Sequence, residues 1–234
     1  MAHVNAKVAI IPARGGSVRL PKKNKLPFLG LPMLAHTVCA AAQSRIFSEI
    51  IFSSDDPEMV EIAAGYGVTA ILRPGELARP ETEFYPVILH ALETAGVRGP
   101  ADICLLMPNC PLRTAADIAA SAAAFAQGSP FQLSVFRYHM FNPCWALAEG
   151  HSGLTPLFPG AFANPGGLGT PWCPSGAIWW AELEAYRAAR DFYGPGVRGF
   201  ELPWFRAMDI DTAEDLRMAT IIAAAMRSNP ELFE

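Results

Sequence analysis

Lys7-Val8-Ala9-Ile10-Ile11-Pro12, then Ala13-Arg14-Gly15-Gly16-Ser17-Val18-Arg19-Leu20-Pro21-Lys22-Lys23-Asn24-Lys25, is the stretch on which the reading of this chain turns. Its first six residues form a short, nearly unbroken apolar run. Such a run reads as a strand buried on both faces, as in a parallel sheet covered by helices. Residues 13–30 then carry Gly15, Gly16, Pro21, Pro27 and Gly30 and read as a long loop.

The pattern continues outward from this strand. Pro32–Ser44 reads as a helix with proline at its start. Glu49–Ser53 follows as a strand, Pro57–Tyr66 as a helix and Val68–Leu72 as a strand. Phe84–Ala95 reads as a helix, Asp102–Met107 as a buried strand, and Thr114 as the cap of a helix to about Phe125. Phe131–Tyr138 is a strand. Residues 139–175 then break the alternation with Pro143, Pro156, Pro159, Pro165, Pro171 and Pro174. They read either as an irregular surface excursion or as an arm that packs on a second subunit. Their Phe141, Trp145, Leu154, Leu157, Phe158, Phe162 and Trp172 are a heavy apolar load for a free loop. Alternation resumes with Ala177–Trp180 as strand, Ala181–Ala189 as helix, Phe200–Phe205 as strand and a helix from Thr212. Strands alternating with helices predict one α/β domain over residues 1–234, with a mostly parallel sheet and 139–175 protruding. Ligands of such sheets bind at the carboxyl ends of the strands.

Composition narrows the function. The chain has 234 residues, 51% apolar and 17% charged, which is enough for a sizeable core. A formal net charge of -4 argues against a long nucleic-acid groove. No apolar stretch is long enough to span a bilayer, and no signal peptide precedes Lys7. Cys39, Cys104, Cys110, Cys144 and Cys173 form no CxxC pair. Free thiols in a reducing cytoplasm are expected.

Against that acidic background, residues 14–25 hold five cations and no acid: Arg14, Arg19, Lys22, Lys23 and Lys25. Three of the four lysines of the chain lie here, while arginine serves elsewhere. With Gly15-Gly16-Ser17, where backbone N–H groups can approach oxygen closely, the loop suits a polyphosphate. It is not a Walker loop, since no GK[ST] follows the glycines. The alternative is a solvated basic loop. A second constellation is Asp209-Ile210-Asp211-Thr212-Ala213-Glu214-Asp215. In an extended stretch Asp209 and Asp211 point the same way and suit magnesium. The same residues also suit a helix start, with Asp211 or Thr212 as cap. Asn109 and Arg113 would project at the ligand edge after Met107, unless the stretch is an ordinary strand–helix loop stiffened by Pro108 and Pro111. Trp179, Trp180, Phe192 and Tyr193 are either core or the wall of an apolar pocket.

These residues resemble, in order, the motifs of the CMP-N-acylneuraminate (sialic acid) cytidylyltransferase family. The matches are Ile11–Ser17 with Leu20–Asn24, Ser53–Asp56, Leu72-Arg73-Pro74 with Glu76-Leu77-Ala78, Pro111–Thr114 with Asp117-Ile118, Gly176-Ala177-Ile178, and Asp209–Leu216. The resemblance implies a three-layer nucleotide-binding fold of the nucleotide-diphospho-sugar transferase type, a homodimer with a dimerisation arm, and CMP transfer from CTP to an acidic nonulosonate. It implies that Arg14, Gly15, Ser17, Lys23 and Asn24 hold CTP, with Ala13, Arg73 and Thr82 near the base. Magnesium would sit on Asp209 and Asp211. Asn109, Arg113, Trp179, Phe192 and Tyr193 would serve the sugar, and Arg14, Lys23 and Asp211 catalysis. Val18 departs from the family pattern, so Arg19 would reach the phosphates instead. Met107, Asn109-Cys110 and Ser175 also depart, all on the sugar side. Ketodeoxyoctonate, pseudaminic or legionaminic acid therefore stand as alternative substrates, and a catalytically silent nucleotide-binding relative as a rival.

Overall fold

The computed structural model of the protein describes residues 5–138, 142–164 and 171–233. Eleven strands and eight helices alternate along these residues. They begin with β1 (Ala6–Ala13), the short β2 (Pro27–Phe28) and β3 (Leu31–Pro32), and α1 (Met33–Ser44). Next come β4 (Glu49–Ser54), α2 (Pro57–Ala64), β5 (Thr69–Leu72), α3 (Phe84–Thr94), β6 (Ala101–Leu105), α4 (Ala115–Phe125) and β7 (Phe131–Arg137). The hairpin β8 (Leu147–Gly150) and β9 (Gly153–Pro156) and the short α5 (Pro159–Ala163) follow. The chain ends with β10 (Trp172–Glu182), α6 (Leu183–Ala189), β11 (Arg198–Glu201), α7 (Trp204–Ala207) and α8 (Ala213–Ser228).

Seven strands form one sheet in the order β11-β7-β10-β6-β1-β4-β5. All neighbours are parallel except β10, which lies antiparallel between β6 and β7. The unbroken apolar run of β1 now has its cause. Successive side chains point to opposite faces, and both faces are covered. Ala9 and Ile11 join Leu34, Val38, Met59, Ile118 and Trp180 beneath α1, α2 and α4. Val8 and Ile10 join Ile88, Leu92, Leu183, Tyr186 and Phe192 beneath α3 and α6. The expected three-layer α/β architecture is therefore present.

Two capping boxes mark helix starts. Thr114 with Asp117 opens α4, and Thr212 with Asp215 opens α8. Asp56 caps α2 with Pro57 at its first position.

The differences from the sequence reading are local. The loop at 13–30 contains the β2–β3 pair, and α1 starts at Met33 because Pro32 still pairs with Pro27. The strand expected at Ala177–Trp180 runs from Trp172 to Glu182, and α6 starts at Leu183 rather than Ala181. Ala181 pairs with Ile103 on one side and Phe131 on the other, so the ladder overrides its helix propensity. The strand expected over Phe200–Phe205 ends at Glu201, and Trp204–Ala207 is a helical turn behind Pro203. Within 139–175, the hairpin and α5 replace an irregular excursion, while residues 139–141 and 165–170, with Phe141 and Pro165, lie outside the described residues. Trp145, Leu147, Leu154, Leu157, Phe158, Phe162 and Trp172 of this segment are exposed.

All five thiols are free. Among the described residues no helix is long and apolar enough to cross a membrane.

Candidate active site

A cleft of about 390 Å³ opens where the carboxyl ends of β1, β4 and β6 meet. The basic loop forms one wall. It is held from beneath rather than solvated as a free segment. Leu20 and Phe28 are buried with Met33 of α1, Leu112, and Ile210, Ala219 and Ile222 of the α8 region. This anchor sets Arg14, Ser17, Arg19, Lys23 and Asn24 along the cleft.

The five cations of the loop then part company. Arg14, Arg19 and Lys23 line the cleft. Lys25 turns away to Asp56 at 2.8 Å and to Glu58, and so ties the loop to the start of α2. Hydrogen bonds first from Lys25 and then from the Glu58 backbone outweigh burial and hold the Asp56 carboxyl below its ordinary value. Lys22 is exposed in a left-handed turn and does not line the cleft. Three cations, not five, therefore face a ligand.

Gly15 serves the loop's geometry. Its N–H donates to Asp55 Oδ1 at 3.0 Å, so that donor is already used within the chain. A Cβ here would stand 3.2 Å from Asp56 Cβ, tight enough to push the loop off α2. Ala13 is the buried last residue of β1, and neither it nor Gly15 lines the cleft. Arg73 does line it while being buried. Its Nη1 donates to the Ser53 carbonyl at 2.6 Å, and Nη2 stands 3.6 Å from Asp55. Burial pushes the Arg73 guanidinium below its usual value and Asp55 opposes that. Thr82 also lines the cleft, and its hydroxyl donates to the Glu76 carbonyl. Sequence reasoning reached Asp55 and Asp56 only through the resemblance. Their physical signal is an acidic pair directly after a buried strand. It also missed Arg79, an exposed cation on the cleft wall whose signal is its place in the polar loop after β5.

Opposite the basic loop stands Asp211. Lys23 Nζ reaches its Oδ1 at 2.5 Å, and Arg19 pairs with its Oδ2. Burial pushes the Asp211 carboxyl up, but Lys23 and Arg19 together hold it below its ordinary value. Asp209 behaves oppositely. Although exposed at its surface, it is pushed up by the packing around its carboxyl and then by the charge of Asp211. The helix-start reading is realised by Thr212 and Asp215, and Asp215 also accepts from the Asp211 N–H at 3.0 Å. That leaves the Asp211 carboxylate free to face the cleft. Two repelling carboxylates with hard oxygen donors fit a magnesium ion, which would relieve the repulsion. Among the described residues no cluster of three or more His, Cys, Asp or Glu side chains offers a fuller metal cage.

The residues expected on the sugar side are divided. Asn109 lines the cleft. Arg113 does not project there. Its guanidinium is buried, donating to Met107 O at 2.8 Å, to Ala177 O and to the Thr37 hydroxyl. It ties α1, β10 and the loop after β6 together, and its buried N–H groups find oxygen acceptors there. Phe192 is core, packed on Tyr186 with ring centres 4.7 Å apart. Trp179 is half-buried between Phe84, which lines the cleft, and Tyr193, which is half-exposed. Tyr193 in turn lines a second depression of about 510 Å³ with Trp172, Pro174 and Val197. The aromatic residues thus split between core and pocket wall.

The departures from the family pattern have structural correlates. Val18 is exposed on the cleft wall, and Arg19 beside it makes the ion pair with Asp211. Met107 lines the cleft and packs on Gly176, where a Cβ would meet Met107 Cγ at 2.6 Å. Burial raises the Cys110 thiol to about 12, which keeps it inert.

The cytidylyltransferase family matches residues 8–129, which hold β1, the basic loop and the ends of β4 and β6. The chain belongs to this family. Over 219 residues the chain is 30% identical to the N-acylneuraminate cytidylyltransferase of Escherichia coli O18:K1:H7, covering 92% of this chain and 51% of that protein. The chain thus spans about half the length of that relative. It is 28% identical over 221 residues to the pseudaminic acid cytidylyltransferase of Campylobacter jejuni serotype O:2, covering 92% of this chain and 95% of that one. The chain also shares the fold of a solved CMP:2-keto-3-deoxy-manno-octonic acid synthetase complexed with CTP. The TM-score is 0.68 at 17% identity, over 94% of this chain and 98% of the other.

Proposed function

We propose that this cytidylyltransferase transfers CMP from CTP to an acidic nonulosonate and releases pyrophosphate. The observation that carries the reading is the cleft itself. Arg14, Arg19 and Lys23 face Asp211 at the carboxyl edge of the parallel strands. Lys23 and Arg19, paired with Asp211, move onto the triphosphate, and Arg14 joins them. The anomeric hydroxyl of the ketose attacks the α-phosphorus. The bond from that phosphorus to the bridging oxygen breaks, and the charge that collects on pyrophosphate is met by the three cations. Buried Arg73 and Thr82 receive the base. Asp209 and Asp211 would hold magnesium, which when bound supplies charge neutralisation at the α-phosphate. Phe84, Trp179 and Tyr193 form the apolar side of the sugar's place.

The relatives named for sialic and for pseudaminic acid leave several acidic ketoses in play. The test is pyrophosphate release with CTP, magnesium and a panel of sialic, pseudaminic, legionaminic and ketodeoxyoctonic acids. A nonulosonate is expected to give the highest kcat/KM. Tight CTP binding with no pyrophosphate from any member of the panel would overturn the reading and favour a silent nucleotide-binding protein.

The reading includes a homodimer. Among the described residues, seven large apolar side chains from Trp145 to Trp172 are exposed, more than an isolated hairpin and short helix would leave to water. Light scattering is expected to give twice the chain mass at micromolar concentration. Replacing residues 139–175 by a short polar linker should raise the sugar KM more than the CTP KM. A fully active monomer would refute the dimer.

A further inference from the structure

Asn109 sits in the loop after β6, where the sequence reading placed a sugar contact. It is only 4% exposed. Its backbone carbonyl accepts from the Ile210 N–H at 2.8 Å. Its Nδ2 donates to the Ile210 carbonyl and to Asp211 Oδ1, each at 3.3 Å. One residue thus grips the backbone on both sides of Ile210 and the carboxylate next to it, across about a hundred residues of sequence. The orientation of its amide is fixed by chemistry. The atom facing a carbonyl and a carboxylate must carry hydrogens, since the flipped amide would bring three oxygens together.

The other partners of that carboxylate are of a different kind. Lys23 and Arg19 are long side chains, and Arg19 is mostly in solvent. On the reading proposed above, both leave Asp211 when a polyphosphate enters. Asn109 is short, buried and anchored through its own backbone, so it stays. Its Oδ1 is buried without a partner, a cost that packing alone would avoid by using an apolar residue.

We propose that Asn109 is the positioning residue for Asp211. It holds one carboxylate oxygen and the Ile210 backbone so that Asp211 keeps its aim into the cleft while its cationic partners change. It acts on the reaction only through Asp211, and the sugar does not rest on it. The inference builds on the cytidylyltransferase reading.

The test is a double-mutant cycle on the full chain with Asn109→Ala, Asp211→Asn and both together. One readout is pyrophosphate release. The other is binding of Mn2+ in the presence of CTP, followed by the spin-resonance signal of the free ion. Asn109→Ala is expected to lower kcat and Mn2+ affinity together, each by roughly 10- to 100-fold, with the sugar KM unchanged. In the Asp211→Asn background it is expected to lower neither further. Asn109→Asp keeps the side chain's size, removes its hydrogens and adds a like charge. It should lose at least as much, which a mere packing role would not produce. Unchanged Mn2+ affinity in Asn109→Ala, a raised sugar KM with normal kcat, or losses that multiply in the double variant would each overturn the proposal. A wild-type chain that binds Mn2+ and CTP but releases no pyrophosphate would sink the reaction alone, and the Mn2+ cycle would still decide on Asn109.

Discussion

Asp211→Asn is expected to lower kcat for pyrophosphate release by roughly 10²- to 10³-fold, the scale for removing one preorganised charged group from a reacting site. The substitution keeps shape and most hydrogen-bonding capacity but removes the charge that Lys23 and Arg19 share and that magnesium would need. The fold should notice little. Arg19 is mostly exposed, so its pair contributes less than about 1 kcal/mol, and the part-buried Lys23 pair carries the larger share of what is lost. That small contribution has a defined pH window. The Asp211 carboxyl lies below its ordinary value in the folded chain, so its stabilisation is present above the unfolded carboxylate pKa of about 3.9. It is lost as pH falls through the lower folded value. Thermal unfolding of Asp211→Asn should therefore differ slightly from wild type at pH 7 and converge on it as pH falls through the lowered folded value. Near-normal turnover in the variant with magnesium would remove Asp211 from the mechanism.

Arg113→Ala is expected to act in the opposite sense, on stability rather than on a ligand. The guanidinium is buried and meets Met107 O, Ala177 O and the Thr37 hydroxyl. Removing it takes a charged donor from the Ala177 and Met107 carbonyls and the Thr37 hydroxyl, leaving Met107 O only its longer bonds from Thr37 Oγ1 and the Cys110 N–H, and opens a cavity between α1, β10 and the loop after β6. The cost should be on the order of 3 kcal/mol. Urea unfolding reads it as a lower midpoint at unchanged slope. A normal midpoint with a raised sugar KM would restore Arg113 to the sugar side.

Arg113 also shows why parts of the site were illegible in sequence. Pro111-Leu112-Arg113-Thr114 looks like an exposed loop, and nothing local announces that three acceptors from other elements will enclose the arginine. Lys25 was counted with the phosphate cations because its carboxylate partners, Asp56 and Glu58, lie on α2, more than thirty residues away in the chain. By contrast β1 was legible to within a residue, because a strand buried on both faces writes its environment into every side chain. The start of α6 was not, since Ala181 and Glu182 favour helix and only the neighbouring strands β6 and β7 hold Ala181 extended. The capping boxes at Thr114 and Thr212 were readable because their partners lie three residues on.

The ion pairs that Asp211 makes with Lys23 and Arg19 also set a threshold for occupancy. The cleft carries its own counter-ion, so an anion that reaches its cations competes with the Asp211 carboxylate. A small monoanion that exchanges for it one-to-one gains little, since it trades one charged contact for another and leaves Asp211 without a cationic partner. A ligand whose charges span Arg14, Arg19 and Lys23 together, and which brings a cation to receive Asp211, gains on every exchange. The abundant small anions of a cell are thereby discriminated against before any base or sugar is recognised.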